Sequence, residues 1–166
     1  MTHALTATDL RDLRVSVHEA GHAVAAVLYG GTIDRIDLAE GATHYGAVPD
    51  QFDHEVTFAG PWAEARWLAG HRPSGAQIAG SLARNSHDAE ALTASGHVDR
   101  REVSALLELV WPAVEELAAT LYVRGHAGHR DVLDALQLSG DHYHSFDLHQ
   151  ITSARMWPVR VLRPVE

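Results

Sequence analysis

Cysteine is absent from the 166 residues, and so is lysine. The first absence excludes a disulfide framework, a thiol nucleophile and any thiolate-ligated metal. The second excludes Schiff-base lysine chemistry and a Walker-type phosphate lysine. Long apolar runs are also missing. The best, residues 23–29, falls far short of the roughly 20 residues that span a bilayer. Residues 1–13 carry Asp9, Arg11 and Asp12 where a signal peptide needs an apolar stretch, so a soluble, cytoplasmic protein is expected. Positive charge is scarce: 13 arginines face 22 acidic residues, for a net charge of −9. Such a surface repels nucleic acid and anionic membranes, and neither is expected as a partner. Asparagine occurs once, at Asn85, a bias that reads as coding composition rather than chemistry.

What is present is a globular composition, 46% hydrophobic and 21% charged, in a chain long enough to bury a core without covalent staples. Histidine is the anomaly, at 13 residues, and imidazole is the commonest side-chain metal ligand.

The apolar residues Leu10, Leu13, Val17, Ala20, Val24 and Val27 recur at helical spacing. They predict a helix from Thr8 to Tyr29, capped by Thr8 or Asp9 and stopped by Gly30-Gly31. Strands are predicted at Thr32–Ala39 and Thr43–Val48. A helical region at 52–69 is expected to be interrupted by Gly60-Pro61. Helices follow near 76–84, 86–95, 99–110, 113–123 and 130–138, and Pro112 kinks one helix or opens the next. From Gly140 the chain is polar and histidine-rich and ends in an irregular or strand-like tail. The expected fold is mainly α (α+β), with a small β-sheet, in one domain over 1–139 on which a tail, 140–166, is packed.

The segment Val17-His18-Glu19-Ala20-Gly21-His22-Ala23-Val24 contains H-E-x-x-H. On a helix, residues four apart share a face, so His18 and His22 can grip one cation. Glu19 is displaced about 100° around the helix, within reach of a water on the metal without being a ligand itself. Gly21, costly inside a helix by about 1 kcal/mol, implies that another element approaches closely there.

His18-Glu19-Ala20-Gly21-His22-Ala23 resembles the HEAGHA signature of the FtsH-type zinc peptidases. Four further segments resemble that family in the same order, together covering about residues 10–138. His44-Tyr45-Gly46-Ala47 is similar to its short edge strand. Residues 58–65 are similar to its glycine-initiated helix, and 111–118 to its closing helices. Ser86-His87-Asp88-Ala89-Glu90-Ala91-Leu92-Thr93 is similar to the segment carrying the family's third metal ligand. The resemblance implies a zincin-type helical peptidase domain, Zn2+ held by His18, His22 and Asp88, Glu19 as general base, and His44 to Ala47 as a substrate-binding strand. His87 stands where the family has asparagine, the domain is expected to stand without the family's ATPase module, and the tail beyond Gly140 has no counterpart.

Other metal-site schemes compete with this one. A metzincin needs glycine and histidine at positions 25 and 28, where the chain has Ala25 and Leu28. A thermolysin-like site would take Glu64 as its third ligand, although Glu64 also reads as a solvated or supporting carboxylate; Glu90 is a further alternative. Two histidines and a carboxylate also describe non-haem iron, but such a site has no use for Glu19. His126, His129, His142, His144 and His149 read as turn or surface residues, and Trp62 and Trp67 as core.

The expected function is therefore a zinc-dependent metallopeptidase acting on unstructured peptides or protein segments, with a partner ATPase as an option. The alternative is a non-catalytic, zinc-containing peptide-binding module on the same scaffold.

Overall fold

Thr6 starts the first helix. Its hydroxyl accepts from Asp9 N at 3.1 Å, and its own N–H donates to Asp9 Oδ2 at 2.8 Å, a reciprocal capping box. The cap thus lies two to three residues earlier than the sequence suggested, because Asp9 serves as the box's third helical residue rather than as the cap. The computed structural model describes residues 4–96, 100–138 and 144–159. In it this helix, α1, runs Ala7–Leu28 and is buried from Ser16 to its end. A helix buried all round for three turns is the centre of a core, not a surface element.

Two strands follow, β1 (Thr32–Asp37) and β2 (Ala42–Gly46), paired antiparallel. Ile33 and Ile36 are both buried although they are three apart. An irregularity in register between Ile33 and Arg35 inserts one residue and brings both onto the core face. A third strand, β3 (His126–Ala127), pairs with the other side of β1, so the order is β2-β1-β3 and β2 is an edge. His126 is therefore a strand residue and not part of a solvated turn as expected; two residues carry too little periodicity to announce a strand.

Helix α2 (Asp53–Ala69) is continuous through Pro61, against the expected interruption. Proline removes one N–H and frees the Thr57 carbonyl, but α2 packs along α1 for most of its length, and that burial holds the helix. Then come α3 (Gly75–Arg84), α4 (Ser86–Ala94), α5 (Arg101–Leu109), α6 (Trp111–Arg124) and α7 (His129–Ala135). Pro112 sits in the first turn of α6, where its missing N–H costs nothing. The tail differs from expectation: His144–Thr152 is a helix, α8, and its Ile151 is fully buried in the core. Trp157 Nε1 donates to Leu136 O at 2.9 Å, fastening the following segment to the end of α7. The expected strand-like end, 156–162, lies partly outside the described residues, as does His142.

The architecture is mainly helical with a three-stranded antiparallel sheet. Its core is gathered on α1, α2 and α6, with Trp62 of α2 edge-on to Trp111 of α6 at 6.2 Å.

Candidate metal centre

Helices α1 and α2 touch through small residues. A Cβ on Gly21 would lie 2.7 Å from both Ala59 O and Ala63 Cβ, so only glycine admits α2 at this distance. One turn along, a Cβ on Gly60 would overlap the His22 ring and come within 2.8 Å of His18 Nε2. The two glycines are reciprocal. Gly21 brings the α2 backbone in, and Gly60 leaves the space that the two imidazoles fill. Gly60-Pro61 had read as a helix break; the interior glycine was instead marking a close approach.

His18 Nε2 and His22 Nε2 lie 3.0 Å apart in this space. Asp88, in the first turn of α4, adds its carboxylate: Oδ2 is 3.0 Å from His18 Nε2, and Oδ1 is 3.7 Å from His22 Nε2. Ligand atoms of the three residues all lie within 4.8 Å of one another. His22 Nδ1 lies 2.8 Å from Val56 O; an N–H donated there fixes the tautomer and leaves Nε2 as a lone pair. Lone pairs at this separation, beside a carboxylate, repel unless a positive charge sits among them. Burial opposes protonation of His18, but the Asp88 and Glu64 carboxylates, aided by Glu19, outweigh it and raise its pKa to about 9. Asp88 goes the other way. Burial would raise its pKa, yet His18 and His22 hold it well below the usual carboxylate range. The donor set can thus hold a positive charge, and two imidazoles with one carboxylate are a set that could take a divalent transition metal.

Glu64, on α2, is not solvated; it is 1% exposed. Its Oε2 lies 3.4 Å from His18 Nδ1, an electrostatic contact without hydrogen-bond geometry, on the side of the ring away from Asp88. Arg84 Nε donates to Oε1 at 2.9 Å and Asn85 Nδ2 to Oε2 at 2.7 Å. Burial would raise the Glu64 pKa, but His18, Asn85 and Arg84 bring it down to about 2. Asn85 also donates to Ser81 O at 2.9 Å and sits at the junction of α3 and α4, three residues before Asp88. The chain's single asparagine therefore has a structural task that composition concealed. Glu90, the other alternative ligand, is exposed and outside the cluster.

Glu19 lies beside the cluster, and Thr43 Oγ1 donates to its Oε2 at 2.8 Å. Nothing in the sequence singled out Thr43; it is a side chain of β2 brought to α1 by the hairpin. The cluster opens into a cleft of about 400 Å³, walled by α1, by Gly41 to Thr43 and Tyr45, and by Ser86 to Asp88. Of the four residues expected to bind substrate, Tyr45 lines this cleft and donates from its hydroxyl to Asp53 at 2.9 Å. Gly46 and Ala47 line an adjoining hollow with Tyr45. His44 lies outside the cleft lining; its ring contacts Glu40 at 3.2 Å and is exposed, because alternation along β2 turns it opposite to Thr43 and Tyr45. Trp62 and Trp67 pack on the core, and His129 Nδ1 accepts from Ile33 N at 3.3 Å rather than facing solvent alone.

Residues 2–72 match the family described as Peptidase M50B-like. The match supports a metallopeptidase domain. It takes in α1 and α2, with His18, Glu19, His22 and Glu64, and stops before Asp88. It does not specify the FtsH-type proteins that the motifs resemble. No curated protein and no solved structure matches the chain. No helix among the described residues is long and apolar enough to cross a membrane.

Proposed function

We propose that this protein is a zinc-dependent peptidase that hydrolyses extended, unstructured peptide segments, with Zn2+ held by His18, His22 and Asp88. The observation that carries this reading is the convergence of those three side chains within 4.8 Å at the head of an open cleft, with Glu19 alongside. The peptidase-family match over α1 and α2 supports it. The metal identity and the FtsH-type likeness rest on the donor set and the motif order.

When bound, zinc supplies Lewis acidity toward the scissile carbonyl and lowers the pKa of a water to about 7. The protein's residues do the rest. Thr43 holds Glu19 Oε2, which leaves Oε1 to take the water's proton and deliver it to the departing amine. Val56 O and Glu64 orient the two imidazoles from behind. The free edge of β2 offers main-chain N–H and C=O groups to an extended substrate, a pairing tolerant of side-chain identity. A folded domain cannot enter such a groove, so unfolding, if required, falls to a separate ATPase.

The test is zinc content together with hydrolysis of unfolded casein. Wild type should carry about one zinc per chain and cleave in a chelator-reversible manner. Glu19→Gln should keep the zinc and lose hydrolysis by about 10²-fold or more. Zinc-dependent peptide binding without cleavage by wild type would instead establish a non-catalytic module.

A further inference from the structure

Arg14, His18 and His22 stand at successive four-residue intervals on one face of α1. All three line the cleft. Arg14 is one helical turn from His18, about 6 Å along the axis, which equals about two residues of extended chain.

The charge on Arg14 is in surplus. Its Nε approaches Glu64 Oε1 at 3.8 Å, beyond hydrogen-bond distance, with the side chain 38% exposed. The same oxygen already accepts from Arg84 at 2.9 Å, and the other from Asn85 at 2.7 Å. Glu64 also faces His18. One buried carboxylate is therefore shared by two guanidiniums, and Arg84 has the better geometry. Arg14 is left with a planar fork of donors on the cleft wall, the geometry that binds a carboxylate with two parallel hydrogen bonds. Apart from the imidazoles of His18, His22 and His87, Arg14 is the only basic side chain among the described residues that line the cleft.

From this placement we propose that Arg14 is the specificity-determining residue of the cleft, selecting peptides with a carboxylate about two residues from the scissile bond. The carboxylate is either an acidic side chain or the peptide's free C-terminus. The inference rests on the peptidase reading and names its substrate class.

The experiment uses the zinc-loaded chain and paired peptides. In one set, Glu or Gln occupies each of three positions on either side of the cleaved bond, with the C-terminus amidated. In the other, the C-terminus is free or amidated at the same positions. Wild type should favour one carboxylate-bearing peptide over its neutral pair by about tenfold or more in kcat/KM, the scale of one charge-assisted hydrogen bond. The first set identifies a side-chain source and the second a terminal one. Arg14→Gln should bring that ratio to about one while cleaving the neutral peptides within a few-fold of wild type. Arg14→Glu should favour lysine at the same position. The same peptides are titrated onto the zinc-loaded Glu19→Gln chain, so that selectivity is also read as affinity.

Cleavage with no carboxylate preference, or a preference unchanged in Arg14→Gln, overturns the inference and leaves the peptidase reading intact. So does an equal loss on all peptides accompanied by weaker zinc binding, since Arg14 then only supports Glu64. Carboxylate-selective, Arg14-dependent binding with no cleavage by wild type overturns the peptidase reading and, with it, the spacing from a scissile bond; only the recognition of a carboxylate by Arg14 then stands. If Arg14→Gln fails to fold, Arg14→Lys reads the same ratio, because it keeps the charge and removes the fork.

Discussion

Gly60 contributes nothing but the absence of a side chain, and the site depends on that absence. Alanine there adds about 1 kcal/mol of helix propensity, yet its methyl would occupy the space of the His22 ring. Gly60→Ala should therefore remain helical by circular dichroism while zinc binding, followed by competitive chelator titration, falls steeply; wild-type affinity in this variant would contradict the close approach. Glu64 acts from the other side of His18. With the contact to Nδ1 weakened, the ring loses orientation and basicity. Glu64→Gln should weaken zinc binding by about 10–100-fold, the range for groups that orient a ligand. Asp88→Ala should lower it further, since it removes a donor from the cluster itself. Equal zinc affinities in Glu64→Gln and wild type would show that Glu64 serves Arg84 and Asn85 alone.

At the scale of elements, α1 is fastened at both ends by different means. Its C-terminal half is held by burial against α2 and α6. Its start is held by the Thr6–Asp9 box and by Tyr122 Oη of α6, which donates to Asp9 Oδ1 at 3.0 Å. The Thr6 hydroxyl and N–H, followed by Tyr122, hold the Asp9 carboxyl below the usual carboxylate range. A lowered pKa in the folded chain stabilises it above the unfolded value and ceases to do so as pH falls through the folded one. Asp9→Asn should therefore lower the thermal midpoint at pH 7, whereas at pH 2 the difference from wild type should shrink. A midpoint difference of the same size at both pH values would place the effect in packing instead.

Over the whole molecule, burial is uneven. Thirteen consecutive residues of α1 are buried, whereas α3 and α4 bury only Ser81 and Leu92. The third candidate ligand thus rides on a sparsely buried part of the fold, tied to α2 through Glu64, Arg84 and Asn85. A bound metal ties Asp88 to α1 as well. Zinc at 100 times its dissociation constant should stabilise the protein by about 2.7 kcal/mol, read as a rise in the thermal midpoint. Hydrogen exchange should slow most in residues 75–94 and least in α1, which already exchanges only through larger openings. Uniform protection across the chain would mean that α3 and α4 are as firmly docked without metal as with it.

The sequence by itself determined the periodic helix α1, the pairing of His18 with His22 on one face and the adjacency of Glu19, because these follow from 3.6 residues per turn. It also set the glycine signal at Gly21, since an interior glycine is costly without a close neighbour. Asp88 was reached through resemblance, not through local spacing, because a carboxylate 66 positions beyond His22 has no periodic relation to it. Tertiary structure alone placed Thr43 on Glu19, Glu64 behind His18, Asn85 on Glu64 and Gly60 over both imidazoles. It also turned His44 out of the cleft and Ile151 into the core. Each of these is a contact between elements remote in sequence, fixed by how α2, α4, α8 and the β1–β2 hairpin dock on α1, and no local propensity encodes that docking.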